Sequence, residues 1–389
     1  MVAAFDNDLR SRYSRAFAWF LANQNGDGSW GSDKTTRVTY TSQAIQLLLA
    51  ADYQPQEPIL ARARRWLDTH AEPGQPHWLS RVEVGLLLQD YSALARDKYI
   101  HSFMSDLTSD LEGLPGHSQG RMDFFWHGLP TLIALVPWER PLRDDHKVQP
   151  IPYEAVSEAL RRLAIEYRND CITVLQKPNH TGLAMVYLAT VAGKDGQPDT
   201  FQRVEGMHNW IVESRVKDDG LVYWSYSRGV TAYVLMDLLR ACEPLKRPVL
   251  DELRDILRFL FTDQHSDGAL PGDRTRTYET SLHSESLYAT ILSLRAAAAA
   301  LTKFEPATLQ TVRVSAERVH VPVSARVQLA MTKRRKHALW AVPLVAVIVG
   351  LVLLALDQTA VATWFLSGGM GALFTVFAAT TTPRMSSSQ

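Results

Sequence analysis

Between residues 8 and 300 the chain alternates two kinds of helical segment. The first kind is charged along one face: "ILARARRWLDTH" (59–70), "YEAVSEALRRLAIEYRND" (153–170) and "VLDELRDILRFLF" (249–261). The second is more uniformly apolar: "TSQAIQLLLAA" (41–51), "TGLAMVYLATVAG" (181–193), "VTAYVLMDLLRAC" (230–242) and "LYATILSLRAAAAAL" (287–301). A helix apolar nearly all round must be covered on most sides, whereas a striped one can face water. No run alternates convincingly as a strand. Apolar spacing and the Gly/Pro/Asp breaks predict six pairs: 8–24 with 37–52, 57–70 with 78–92, 98–112 with 127–137, 151–168 with 179–193, 199–215 with 227–242, and 248–263 with 281–300. The expected fold is all-α, six buried inner helices sheathed by six striped outer ones in an (α/α)6 toroid spanning residues 1–304. An open solenoid of helical hairpins fits the same pattern and stays open as an alternative.

A turn recurs within this frame. "QNGDGSW" (24–30) returns as "QHSDGAL" (264–270), with Gln24/Gln264, Asp27/Asp267, Gly28/Gly268 and Trp30/Leu270 in register. Trp19 and Phe259 each stand five residues before the Gln. "VKDDGLV" (216–222) keeps Asp219 and Gly220 and loses the Gln. With "RAFAWFLANQNGDGSW" (15–30), this resembles the QW repeat of terpenoid cyclases and protein prenyltransferase β subunits. The resemblance covers about residues 8–304 and implies a toroid of six helix pairs, in which Gln and Trp tie outer-helix ends to neighbouring inner helices. A Gln amide suits the orphan groups of a helix end, and a Trp over it excludes water. Gln24, Trp30 and Gln264 are therefore read as structural.

The catalytic motifs that the resemblance would supply are missing. There is no Asp-x-Asp-Asp acid, and the pairs Asp144/Asp145 and Asp218/Asp219 fall in turns, where they read as solvated residues. His283 stands where the zinc-binding His of a prenyltransferase would, but the preceding inner helix starts with neither Asp nor Cys. Without that thiolate and carboxylate, two of three protein zinc ligands are lost. What remains is His127, His180 and His283, each near the start of an inner helix, with Asp123 and Glu285 close to two of them. Such positions would face one end of a toroid cavity, where a His/carboxylate group could bind a metal or act as general acid and base. Separate capping or packing histidines are the plainer reading. Aromatics crowd the same turns in "FFWHG" (124–128) and "YWSY" (223–226), along with Trp78 and Tyr278, and Arg81, Arg121, Arg228, Arg274 and Arg276 are near in sequence. Trp126, Tyr223, Trp224, Tyr226 and Arg228 are thus candidates for holding a prenyl or lipid phosphate, with packing around loops the plainer explanation.

The chain changes character after residue 304. Residues 305–336 form a basic connector, and "TVRVSAERVHVPVSARVQLA" (311–330) alternates enough for a short strand pair around Pro322, or for a membrane-surface segment. "HALWAVPLVAVIVGLVLLAL" (337–356) and "AVATWFLSGGMGALFTVFAA" (360–379) contain no Asp, Glu, Lys or Arg and are each long enough to span a bilayer. "KRRK" (333–336) directly before them keeps the large N-terminal region and the tail cytoplasmic by the positive-inside tendency. The Ser367/Gly371 and Gly368/Ala372 pairs permit close helix approach, either within the hairpin or between copies.

Among the 389 residues, 41 Lys and Arg balance 41 Asp and Glu, so overall charge predicts no nucleic-acid partner. Two distant cysteines, Cys171 and Cys242, make neither a disulfide framework nor a Cys-rich zinc site. The sequence identifies no cofactor or metal and does not decide whether the protein is an enzyme. Its leading reading is a membrane-tethered toroid that binds a hydrophobic ligand, an isoprenoid or a peptide. A lipid- or isoprenoid-modifying enzyme is the first alternative. The second is a membrane effector of bacterial defence, with the toroid as sensor and the hairpin as oligomerising element.

Overall fold

The computed structural model describes residues 5–32, 34–71, 79–88, 100, 102–104, 107, 111, 124–138, 151–166, 171–195, 198–247, 251–272 and 283–319. The chain divides into two compact units, 1–320 and 321–389, and every described residue belongs to the first. The two apolar runs at 337–356 and 360–379 lie outside the described residues. Among the described ones no helix is long and apolar enough to cross a membrane.

Helices dominate. In order they are α1 (Asn7–Ala22), α2 (Lys34–Ala50), α3 (Pro58–His70), α4 (Leu79–Leu87), α5 (Leu129–Leu135), α6 (Tyr153–Leu163), α7 (Pro178–Asp195), α8 (Pro198–Glu213), α9 (Arg228–Ala241), α10 (Leu253–Leu260), α11 (His283–Phe304) and α12 (Pro306–Val319). A single π turn, Phe124–Gly128, leads into α5. The apolar helices pack in a closed order, α2 on α4, α4 on α5, α5 on α7, α7 on α9, α9 on α11, and α11 back on α2. An open solenoid would lack that last contact, so the ring closes. The striped helices lie outside it. Helices α3, α8 and α10 each pack on the preceding inner helix, and α1 completes the rule by packing on α11.

The repeated turns fasten the outer layer. Gln24 Nε2 donates to the Gly28 carbonyl (2.9 Å) and across to Ile59 O in α3 (3.0 Å); Gln264 Nε2 donates to Gly268 O (3.0 Å) and across to Arg12 O in α1 (2.9 Å). The Gln therefore joins one outer helix to the next outer helix, not to an inner one as the resemblance implied. Gly28 and Gly268 have φ of +98° and +101°, and a Cβ on either would collide with backbone of the next outer helix, at Arg62 and Arg15 respectively. Glycine alone allows that approach.

Inner helices are fastened by a hydroxyl that the sequence reading overlooked. Each carries a buried Thr or Ser in its first half: Thr41, Ser80, Thr131, Thr181, Thr231 and Thr290. Four of these oxygens accept the backbone N–H of the turn residue before their helix, Trp30 to Thr41 (3.1 Å), Val174 to Thr181 (2.9 Å), Trp224 to Thr231 (3.0 Å) and Leu270 to Thr290 (3.0 Å). A buried N–H left unpaired costs about 1–3 kcal/mol, so the hydroxyl fixes where each inner helix begins.

Two expectations need correction. Short antiparallel hairpins occur where only helix and turn were predicted, β1 (Ala164–Glu166) with β2 (Ile172–Val174) and β3 (Val216–Asp218) with β4 (Leu221–Tyr223). The second turns on Asp219 and Gly220, both at positive φ, the geometry a two-residue hairpin requires. Residues 311–319 are helical within α12 rather than half of a strand pair. α12 packs on α1 and α11, and its Arg313 lies 3.9 Å over the Tyr53 ring while binding both Glu57 oxygens at 2.9 Å. Tertiary contacts of this kind override a weak β pattern.

Candidate functional site

The start of each inner helix is mainly an architectural region. His180, third residue of α7, is buried and stacked on Phe125, with ring centroids 4.6 Å apart. Burial, reinforced by the Lys177 charge, drops its pKa to about 4, so it stays neutral near pH 7. His127 lies in the π turn before α5, and His283 is the first residue of α11. The side chains of Trp126, His127, His283 and Glu285, and the whole of Asp123, lie outside what is described. Among the described residues no three His, Cys, Asp or Glu groups are placed to hold a metal.

The "YWSY" residues belong to the repeat machinery. Trp224 Nε1 donates to Ile211 O in α8 (2.8 Å), just as Trp30 Nε1 donates to Phe20 O in α1 (3.1 Å). Trp224 thus occupies the place of the repeat Trp, displaced in sequence by the β3–β4 hairpin. Tyr223 is buried and stacked on Phe259 at 4.6 Å, while Tyr226 is exposed. Arg228 is 1% exposed, and its guanidinium donates to the carbonyls of Thr262 (2.7 Å), Gly272 (3.0 Å) and Pro271 (3.4 Å). Asp218 and Asp219 are exposed in the hairpin turn. Trp78, Arg121, Asp144, Asp145, Arg274, Arg276 and Tyr278 lie outside the described residues. Arg81 reaches Asp68 at 3.4 Å.

Deeper in the ring, four inner helices bring together a polar belt. Glu83 of α4, Gln46 of α2, Tyr233 and Asp237 of α9, and Tyr288 and Arg295 of α11 lie within electrostatic reach of one another. The Arg295 guanidinium donates to Gln46 Oε1, and the two tyrosine hydroxyls meet at 3.0 Å. Tyr40 of α2 stacks on Tyr288, with centroids 5.3 Å apart. Burial pushes the Glu83 carboxyl upward, with Arg295 and Arg240 pulling the other way. Burial also raises Asp237 to about 7 against the same two arginines, and lowers Arg295. Asp237 is 1% exposed. Its Oδ1 lies 3.9 Å from Arg240, and its Oδ2 has no hydrogen-bond partner among the described residues. A Cβ on Gly182 of α7 would come within 2.7 Å of that Oδ2, so glycine there makes room for the carboxyl. Buried charges are costly unless paired, and this belt pairs them incompletely.

The belt opens at the ends of the inner helices into a cavity of about 360 Å3. Gln46, Leu49 and Ala50 of α2, Leu87 of α4, Met236, Leu239 and Arg240 of α9, and Arg295, Ala299 and Lys303 of α11 line it. Because α4 and α9 are not ring neighbours, a space touching both lies in the lumen. A larger cleft, about 610 Å3, runs between α6 and α8 on the outside. Its acids Glu154, Glu158 and Asp199 alternate with Arg161 and Arg203, and Glu158 already pairs with Arg161 and Arg162. The lumen, where cations gather on an apolar wall and the buried Asp237 is only partly paired, is the stronger candidate.

None of the belt was singled out from sequence. The available signal was a lone charge inside an otherwise apolar inner helix: Glu83 in "VEVGLLL", Asp237 in "YVLMDLLR" and Arg295 in "LSLRAAAAAL".

No protein-family model matches the chain, and no curated protein matches its sequence. Among solved structures, it is similar to an inactive variant of the alpha-1,6-mannanase GH76A of Salegentibacter sp. HEL1_6, with TM-score 0.47 and 9% identity over 75% of this chain and 98% of that one. It is also similar to a type II terpene cyclase from Scytonema, with TM-score 0.46 and 15% identity over 76% and 98% of the two chains. A possible member of the GH105 family from Salmonella enterica gives TM-score 0.46 and 10% identity over 77% and 95%. The ring itself stands on the closed order of its helix contacts, and any chemistry must be argued from its own residues.

Proposed function

We propose that this protein is a membrane-tethered ring whose lumen takes up an amphipathic anion, such as an acyl carboxylate or a lipid or isoprenoid phosphate. The lining of the mouth carries the reading. Leu49, Leu87, Met236 and Leu239 offer an apolar wall, and Arg240, Arg295 and Lys303 offer three cations, with no carboxylate among the described lining residues. Apolar walls with a few convergent charges suit a ligand with a tail and an anionic head. The belt behind them limits depth, since an apolar tail gains nothing from entering among Glu83, Asp237 and Arg295. Two uncharged runs after "KRRK" supply the tether to a membrane that contains such ligands.

The test uses the full chain in nanodiscs of uncharged lipid, with lauryl phosphate and lauryl alcohol as probes. Lauryl phosphate binds and the alcohol does not, and Arg240→Ala with Lys303→Met weakens the phosphate by about 10-fold or more. Equal binding of both probes, or indifference to the double substitution, overturns the reading.

Asp237 favours a second reading, catalysis on the bound ligand. A buried carboxyl with a pKa of about 7 is partly protonated at neutrality, as a general acid requires. Turnover of a lipid phosphate that Asp237→Asn abolishes while binding persists would establish it; unchanged turnover would remove it.

A further inference from the structure

The rim of the lumen mouth holds a thiol and an amine in contact. Cys242 caps the C-terminal end of α9, and Lys303 lies in the last turn of the neighbouring α11. Lys303 Nζ is 2.9 Å from Cys242 Sγ, 3.0 Å from Leu239 O and 3.3 Å from Glu243 Oε1. The sulfur donates to that same carbonyl, Leu239 O, at 3.1 Å. Cys242 is 8% exposed, while Lys303 lines the cavity, so a small solute that enters the mouth reaches the pair. The contact crosses the α9–α11 seam and joins residues 61 positions apart in sequence.

We propose that Cys242 and Lys303 form an oxidation-dependent covalent pair, a sulfenamide bridge across the rim. A hydroperoxide supplies the oxidising equivalents. The sulfur attacks one peroxide oxygen, the O–O bond breaks, and the thiol becomes a sulfenic acid with release of water. Lys303 passes its extra proton to the Glu243 carboxylate beside it. The amine then attacks the sulfenic sulfur, the S–O bond breaks, and hydroxide leaves with the proton shed by nitrogen. Thiol, amine and hydrogen peroxide give an S–N bond and two waters; sulfur loses two electrons and the peroxide gains them. An external thiol reverses the step by attacking sulfur and releasing the amine. Geometry selects this product, because the nucleophile nearest the oxidised sulfur is already in contact with it.

The consequence for ligand entry rests on the anion-binding reading above. The bridge removes one of three rim cations and pins α9 to α11, so oxidation closes the mouth to anions. The bridge itself is tested without any ligand, which separates its failure from failure of that reading.

The experiment treats the full chain with hydrogen peroxide and follows intact mass and peptide maps. The expected product is about 2 Da lighter than the reduced protein, contains a linked peptide pair joining Cys242 and Lys303, and reverts with dithiothreitol. In Lys303→Arg, a conservative change that keeps the cation, the oxidised sulfur accumulates instead as a sulfenic acid that dimedone captures. The proposal fails if wild type yields dimedone-labelled Cys242 as readily as Lys303→Arg. It also fails if Lys303 keeps its full reactivity toward amine reagents after peroxide treatment.

Discussion

The two levels of the ring treat polar groups in opposite ways. At the turns, each repeat Gln, Trp and Thr has a partner that fixes backbone: Gln24 with Ile59, Trp30 with Phe20, Thr231 with Trp224, Arg228 with three carbonyls. In the lumen belt, Glu83, Asp237 and Arg295 are surrounded by apolar helix and only partly matched. Polar residues that complete a backbone explain themselves by stability. Charges retained in the interior at a stability cost have no such explanation, and this difference is what makes the lumen the candidate site.

The comparison breaks most visibly at the closing turn. Gly268→Ala places a methyl against the Arg15 backbone at a φ of +101°. Strain and overpacking together cost about 4 kcal/mol and lower Tm by roughly 10 °C, as calorimetry would measure. A variant of unchanged Tm would mean that the turn does not hold the ring closed.

The belt is predicted to respond in the opposite sense. Asp237 has its folded pKa raised from 3.8 to about 7, so its stabilisation is complete below about pH 4 and is lost as pH rises to about 7. His180 has its folded pKa lowered from 6.5 to about 4, so its contribution is present above about pH 6.5 and is lost on acidification toward pH 4. The two slopes oppose each other between about pH 4 and 6.5. Asp237→Asn therefore uncovers a stability that rises with pH, and near neutrality it gains on the order of 3 kcal/mol over wild type. His180→Phe uncovers a fall. Denaturant titrations at several pH values check both, and parallel curves for all three proteins would remove the belt's electrostatic account.

Thr231→Val strips the partner from the Trp224 N–H and costs about 1–2 kcal/mol, read as a shift in denaturation midpoint. Finally, Arg247→Gln loosens a solvent-facing pair with Glu205 at 3.1 Å and changes stability by less than about 0.5 kcal/mol. A larger effect there would show that the outer layer depends on its surface ion pairs.

Much of the frame was legible in the sequence because it is written locally. A stripe of charge marks an outer helix, its absence an inner one, and Gln-x-x-Asp-Gly marks the turn between. A closed ring was expected from the inner and outer pattern, but the contacts that close it were not legible, since no local pattern announces Gln264 reaching Arg12 or Arg254 reaching Asp6. Strands of three residues are too short for alternation to register, although Asp219-Gly220 was a hairpin signal in plain view. The lumen belt was overlooked for a different reason. Functional polar residues were sought at helix starts and in aromatic turns, where Trp224 and Arg228 serve the frame. The charges lining the lumen sit singly in the middle of apolar helices, where they resemble interruptions in a core.

Closure also fixes an order of events. The α1 segment leaves the ribosome well before its partners Arg254, Phe261, Gln264 and Glu305. During synthesis the side of α1 that meets these residues waits unsheltered while some 250 further residues leave the ribosome. The outer layer is therefore complete only when residues far along the chain come back to α1.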